Sequence, residues 1–156
     1  MKLTSIKQTA FLFIFLLSIC PFYPKAQFVE HEYVFKSGDN GYETFRIPAI
    51  ITAKSGKILA FAEGRVNNSS DNGNIDFVMK TSDDGGKTWS KLKVIWNDGE
   101  NACQNPAPVI DIKTGKIFML MTRKLGTDKE PDIIDQKSTE AIRVFMMHSD
   151  NEGESW

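Results

Sequence analysis

Apolar residues in this chain come in short runs separated by polar turns, and the runs have the length of strands. Phe45 to Thr52 is apolar apart from Arg46 and Pro48, and Ile58 to Glu63, Ile75 to Thr81, Ala107 to Asp111, Ile117 to Thr122 and Ala141 to His148 follow the same habit. Each run is bounded by Gly, Asn, Asp or Ser clusters, so each reads as a strand. Glu32 to Lys36 and Lys91 to Trp96 complete the predicted strands, with loops at 64–74 and 97–105. No stretch after Pro21 sustains a helical period. The pattern is that of an all-β protein.

The pattern also repeats. Ser82-Asp83-Asp84-Gly85-Gly86-Lys87-Thr88-Trp89 returns as Ser149-Asp150-Asn151-Glu152-Gly153-Glu154-Ser155-Trp156, and Lys54-Ser55-Gly56-Lys57 returns as Lys113-Thr114-Gly115-Lys116. In the eight-residue turn, Asp84 or Asn151 can bond backbone two residues on, and Gly86 or Gly153 can take positive φ. Ser82, Ser149, Thr88 and Ser155 supply hydroxyls, and Trp89 or Trp156 is expected to pin the turn to the body of its own repeat. The second unit carries eight extra residues between its hairpin and its Asp turn, placed by composition in the polar stretch from Thr122 to Ser138. Two such units read as blades, and blades bury their faces only against one another.

Other features narrow the class. Lys2 and Lys7 followed by the apolar run Phe11 to Ile19 form a secretory signal, too short for a bilayer span of ~20 residues. Cleavage after Ala26 is expected, although Pro24 is not the usual small residue at that position; Leu17-Ser18-Ile19-Cys20 resembles a lipoprotein signal only faintly, because Ile19 is bulky. Residues 27–156 then hold one cysteine, Cys103, which cannot close an internal disulfide and reads as a small buried hydrophobe. With 19 basic and 20 acidic residues spread along the chain, no nucleic-acid footprint is expected, and nothing calls for a metal or a redox cofactor.

Candidate chemistry starts at Arg46, a charge inside an apolar strand, which is costly unless paired. A held guanidinium binds a carboxylate with two parallel hydrogen bonds. Arg65, directly after a strand, is expected to emerge into the same mouth, with Glu63 holding one of the two arginines. Asp71 alone would read as a turn former.

Taken together, Phe45-Arg46-Ile47-Pro48, Glu63-Gly64-Arg65, Asp71, Ile75-Asp76 and the two Asp turns resemble an exo-α-sialidase (neuraminidase) of the bacterial secreted type, with Asp-box (BNR) repeats. The resemblance covers 27–156 and implies a six-bladed β-propeller of which this chain holds about the first two blades. It implies that Arg46 clamps the sialic acid carboxylate, that Arg65 contacts the sugar around its 4-hydroxyl, and that Asp71 is the acid/base on a flexible loop. It gives Asn105 a substrate-binding role and makes the Asp boxes structural, remote from the site. The family's tyrosine nucleophile, the recognised exception to the two-carboxylate scheme, its activating Glu and two further arginines are expected from later blades. Tyr23, Tyr33, Tyr42, Arg123 and Arg143 do not match them, so these 156 residues alone are expected to be inactive and poorly folded. The implied partners are sialylated glycans or glycoproteins met outside the cytoplasm. A propeller that holds acidic glycans without cleaving them would keep the arginines and lack the Tyr–Glu pair, and a purely structural propeller would be indifferent to Arg46. A trans-sialidase would share every residue present.

Overall fold

In the computed structural model the described residues are 31–156, so the signal segment at 1–26 and the cysteine Cys20 lie outside them. Residues 32–156 form one compact unit. Its strands are β1 (Thr44–Thr52), β2 (Ile58–Arg65), β3 (Ile75–Ser82), β4 (Lys93–Trp96), β5 (Ala102–Ile110), β6 (Ile117–Lys124) and β7 (Arg143–Ser149). Among the described residues one short α-helix, α1 (Glu130–Ile134), precedes β7, and a 3-10 turn at Asp39–Gly41 precedes β1.

The first four strands pair antiparallel in chain order, as do the last three. The two sets meet at one parallel bridge, Ile75 to Ala102. This is the arrangement of two adjacent propeller blades, with the innermost strands β1 and β5 each followed outward by a hairpin. The core lies between the blades: Leu59, Phe61, Phe77 and Met79 from the first pack with Cys103, Ile117, Met119 and Met121 from the second. Blade packing explains why β2 is buried along nearly its whole length while β7 is largely exposed. One neighbour covers β2; the outer face of β7 has none, and Val144 and Met146 stand 69% and 61% exposed.

The two Asp boxes share the same backbone-amide bonds. The Ser82 hydroxyl accepts from the Gly86 amide, and the Asp84 carboxylate accepts from the Thr88 amide and hydroxyl. Ser149 and Asn151 likewise accept from the amides of Gly153 and Ser155, but the Asn151 side-chain amide donates to the Ser155 hydroxyl where the Asp84 carboxylate accepts. Trp156 behaves differently from expectation. It packs edge-on against Phe61 at 5.9 Å, a residue of the preceding blade, so it joins two repeats rather than pinning its own. Glu152 adds bonds to the amide and hydroxyl of Ser55 in the first blade's hairpin turn.

Three element assignments differ from the sequence reading. Residues 32–36 form no strand; Phe35 instead lies against Phe45 as part of a small apolar cap around Tyr42. The 97–105 loop ends at Asn101, because Ala102 to Gln104 are buried and already paired with β6. The extra residues of the second unit do lie after β6, in the 125–142 connection, and they carry α1. Its five residues are too few to show a helical period; Pro131 in the first turn and the Asp132 carboxylate accepting from the Lys129 amide start it.

Candidate functional site

Both blades place a bulge at the same point of the inner strand. In β1 the register slips between Arg46 and Ala49, and in β5 between Gln104 and Ala107. At each bulge a residue preceding proline takes positive φ, Ile47 at 50° and Asn105 at 60°. A β-branched residue there is strained. The bulge re-aims Arg46 and Gln104 at the same end of the blades. Arg46-Ile47-Pro48-Ala49 and Gln104-Asn105-Pro106-Ala107 are therefore one motif in two copies, and Gln104 is the second blade's counterpart of Arg46. The sequence reading missed Gln104, although the shared Pro-Ala and its spacing were present to find it.

These side chains converge on the 66–74 loop. Arg46 donates from Nη1 to the Ser69 carbonyl at 2.9 Å and to Asp71 Oδ1 at 3.2 Å. Gln104 donates from Nε2 to the Asp71 carbonyl at 3.2 Å, and the Gly73 amide donates to the Gly126 carbonyl at 2.7 Å. Arg65 carries the largest share. Its Nε and Nη2 donate to Glu63 Oε2 at 3.1 and 2.5 Å, Nη2 also to Asp71 Oδ1 at 2.7 Å, and Nη1 to the Ser69 and Ser70 carbonyls, both at 2.6 Å. All five guanidinium N–H groups are thereby used.

Two expectations change accordingly. Arg65 does not emerge into the mouth: it is the last residue of β2, 1% exposed, and lies beneath the loop. The loop bearing Asp71 is strapped from both blades rather than loose. Glu63, fully buried, does hold Arg65, and its second oxygen accepts from the Asn105 amide at 2.9 Å, linking the blades at the site. Gly64 between them is required, because a Cβ there would lie 2.8 Å from the Tyr42 ring. Tyr42 is itself buried with its hydroxyl donated to Asp76 at 2.6 Å, and burial followed by that bond pushes its pKa far up. It is a structural phenol.

The Arg65 hydrogen bond, opposed by partial burial and aided by the charges of Arg65, Arg46 and Lys124, holds the Asp71 carboxyl below the usual carboxylate range. Asp71 is 68% exposed and faces a cavity of about 690 Å³, a size suited to a small-molecule ligand. Gln104, Asn105, Thr122 and Lys124 line its strand side, and Ile133, Ile134 and Ile142 of the 125–142 connection line the other. Asn105 points its amide to the Thr122 hydroxyl at 2.9 Å. Arg46 borders a second, smaller hollow with Phe45 and Pro48. Arg123 stays outside both; it bridges Asp98 and Glu140 and so ties the 125–142 connection down. Cys103 is buried in the core with its thiol pushed up to about 12, chiefly by burial. Ser82 pairs with Ile58 and Ser149 with Ile117, at the ends of the ladders opposite Arg65 and Arg123.

A family model described as a BNR repeat-like domain matches residues 47–156. Among curated relatives, an exo-alpha-sialidase of Arthroderma benhamiae is 31% identical over 131 residues, covering 74% of this chain and 32% of its own length. A sialidase of Bacteroides fragilis is 31% identical over 136 residues, covering 77% of this chain and 24% of its own. The chain thus spans about a third or less of these relatives. Among solved structures, the Hadza microbial sialidase Hz136 superposes with a TM-score of 0.67 at 26% identity, over 77% of this chain and 26% of that one. The NanB sialidase of Streptococcus pneumoniae gives 0.57 at 25% identity, over 62% and 18%. The fold is that of two blades of a sialidase-type six-bladed β-propeller.

Proposed function

Because this chain belongs to the BNR repeat-like domain family and is homologous to sialidases, we propose that the protein is a secreted exo-α-sialidase, hydrolysing terminal α-linked sialic acid from glycoconjugates with retention. The observation that carries this reading is the convergence of Arg46, Arg65 and Asp71 on one loop beside an open cavity.

The chemistry follows from charge. A sialoside bears a carboxylate on its anomeric carbon, so a carboxylate nucleophile is repelled and a neutral tyrosine from a later blade takes its place. Arg46 neutralises and orients the substrate carboxylate. Asp71 protonates the departing glycosidic oxygen, then removes a proton from the water that releases the sugar. Asn105 binds the sugar on the cavity side. Arg65, with every N–H already engaged, acts through Asp71 and Glu63 rather than on the sugar itself.

Asp71 must be protonated to act as an acid, yet without ligand two arginines hold it ionised. An arriving carboxylate competes for Arg46 and also brings a like charge near Asp71. Both effects raise the Asp71 pKa when the substrate is in place. Proton NMR of sialyllactose cleavage by the intact protein tests the reading. The α-anomer of free sialic acid appears first if it holds. A β-anomer formed first, or no release, contradicts it.

A further inference from the structure

Lys124 is a buried cation that none of the roles above uses. It ends β6, is 7% exposed and borders the same cavity as Asp71. Lysine is almost never buried this far without a partner charge. Among the described residues no carboxylate forms an ion pair with it, and its one acceptor is the Asp128 carbonyl at 3.2 Å. The Asp128 carboxylate accepts from the Ser138 hydroxyl instead. An ammonium has three N–H donors and no acceptor. Two donors therefore remain for whatever occupies the cavity, and leaving them unmet in a buried site is costly. The neighbours fix its position. The Asp128 carbonyl and the tight backbone around Gly126, where a Cβ would collide with the Glu100 carbonyl, hold the segment following β6 against the loop of Asp71.

We propose that Lys124 is a ligand-binding residue of this cavity, donating its ammonium N–H groups to an acceptor oxygen of the bound glycan on the Asp71 side. This rests on the sialidase reading, since the glycan is what fills the cavity. The chemistry it selects is an oxygen-rich, anionic sugar. A hydroxyl, carbonyl or carboxylate oxygen satisfies the donors, and an apolar group leaves them stranded. Its positive charge also acts on Asp71 and contributes to lowering the Asp71 pKa in the free site.

The test is steady-state hydrolysis of sialyllactose by the intact protein as its cell makes it, for wild type, Lys124→Met and Lys124→Arg. Methionine matches the length and shape and removes the donors. The expected result is a rise in KM of about tenfold or more for Lys124→Met with kcat within about threefold, and partial recovery in Lys124→Arg. The alkaline limb of the kcat/KM pH profile, where the general acid loses its proton, should also move upward in Lys124→Met, because Asp71 loses a cationic neighbour. A residue that merely held Asp128 would lower the melting temperature and leave the KM of the folded fraction and the alkaline limb unchanged. That outcome overturns the proposal while the sialidase reading stands. A wild-type protein that neither cleaves nor binds sialyllactose overturns both.

Discussion

Arg65 shows how much of the site is support rather than contact. Its planar fork serves two carboxylates and two backbone carbonyls at once, which a lysine cannot imitate. Replacing Arg65 by Met leaves the Glu63 carboxylate buried and uncompensated, so stability should fall by about 3–5 kcal/mol in denaturant unfolding. Asp71 sits at the other end of this network, largely in solvent, and its role there is geometric. Its pKa is lowered in the fold, so its contribution to tethering the loop is present above the unfolded carboxylate value of about 3.9 and is lost as pH falls through the lower folded value. The Gly73 amide resonance should therefore titrate at acid pH in the wild type and lose that transition in Asp71→Asn. At this scale the sequence named Arg46, Glu63, Arg65 and Asp71 but misjudged where Arg65 lies. Spacing placed it after a strand, and only the folded chain shows that its whole donor set is spent beneath the loop. Lys124 gave no signal, because burial of a lysine at a strand end is invisible without the loop that covers it.

Among the elements, the paired bulges and the glycines around them set the geometry. Gly64 lets Tyr42 lie flat on β2, and a methyl group there meets the ring at 2.8 Å. Gly64→Ala should cost about 1–3 kcal/mol, read as a lower denaturant midpoint with an unchanged slope. Gly126 is tighter still, since its surroundings are backbone. Gly126→Ala should loosen the Gly73 tie and depress turnover more than substrate affinity, a split visible in kcat against KM. The strands were largely legible from apolar runs and turn residues, and the extra residues of the second unit were correctly placed after β6. Residues 32–36 misled because their apolar side chains serve a cap around Tyr42 rather than a ladder. The start of β5 was hidden for the opposite reason: Ala102-Cys103-Gln104 has too little apolar periodicity to stand out, although the core takes it in completely.

Over the whole molecule, the second Asp box is a clip between repeats. Trp156 and Glu152 reach back to Phe61 and Ser55 of the blade before, so Trp156→Ala should lower the melting temperature by unzipping the blades rather than by opening the box itself. The outer faces of two blades remain apolar, with Ile50 on β1 62% exposed and Val144 and Met146 on β7 similarly open. The 156-residue polypeptide made alone should self-associate in sedimentation velocity and show no turnover of a sialoside, because uncovered apolar sheet faces drive association. The repeat made this architecture readable before any coordinates, since two copies of one turn at related spacing admit few folds.

Leaving-group dependence tests most directly the proposed protonation of the leaving group by Asp71. In the intact protein, Asp71→Ala should lower kcat/KM on sialyllactose by about 10²–10⁴-fold. On an aryl sialoside whose phenolate leaves without a proton, the loss should be far smaller. Equal losses on both substrates, or no loss on either, would contradict the assignment.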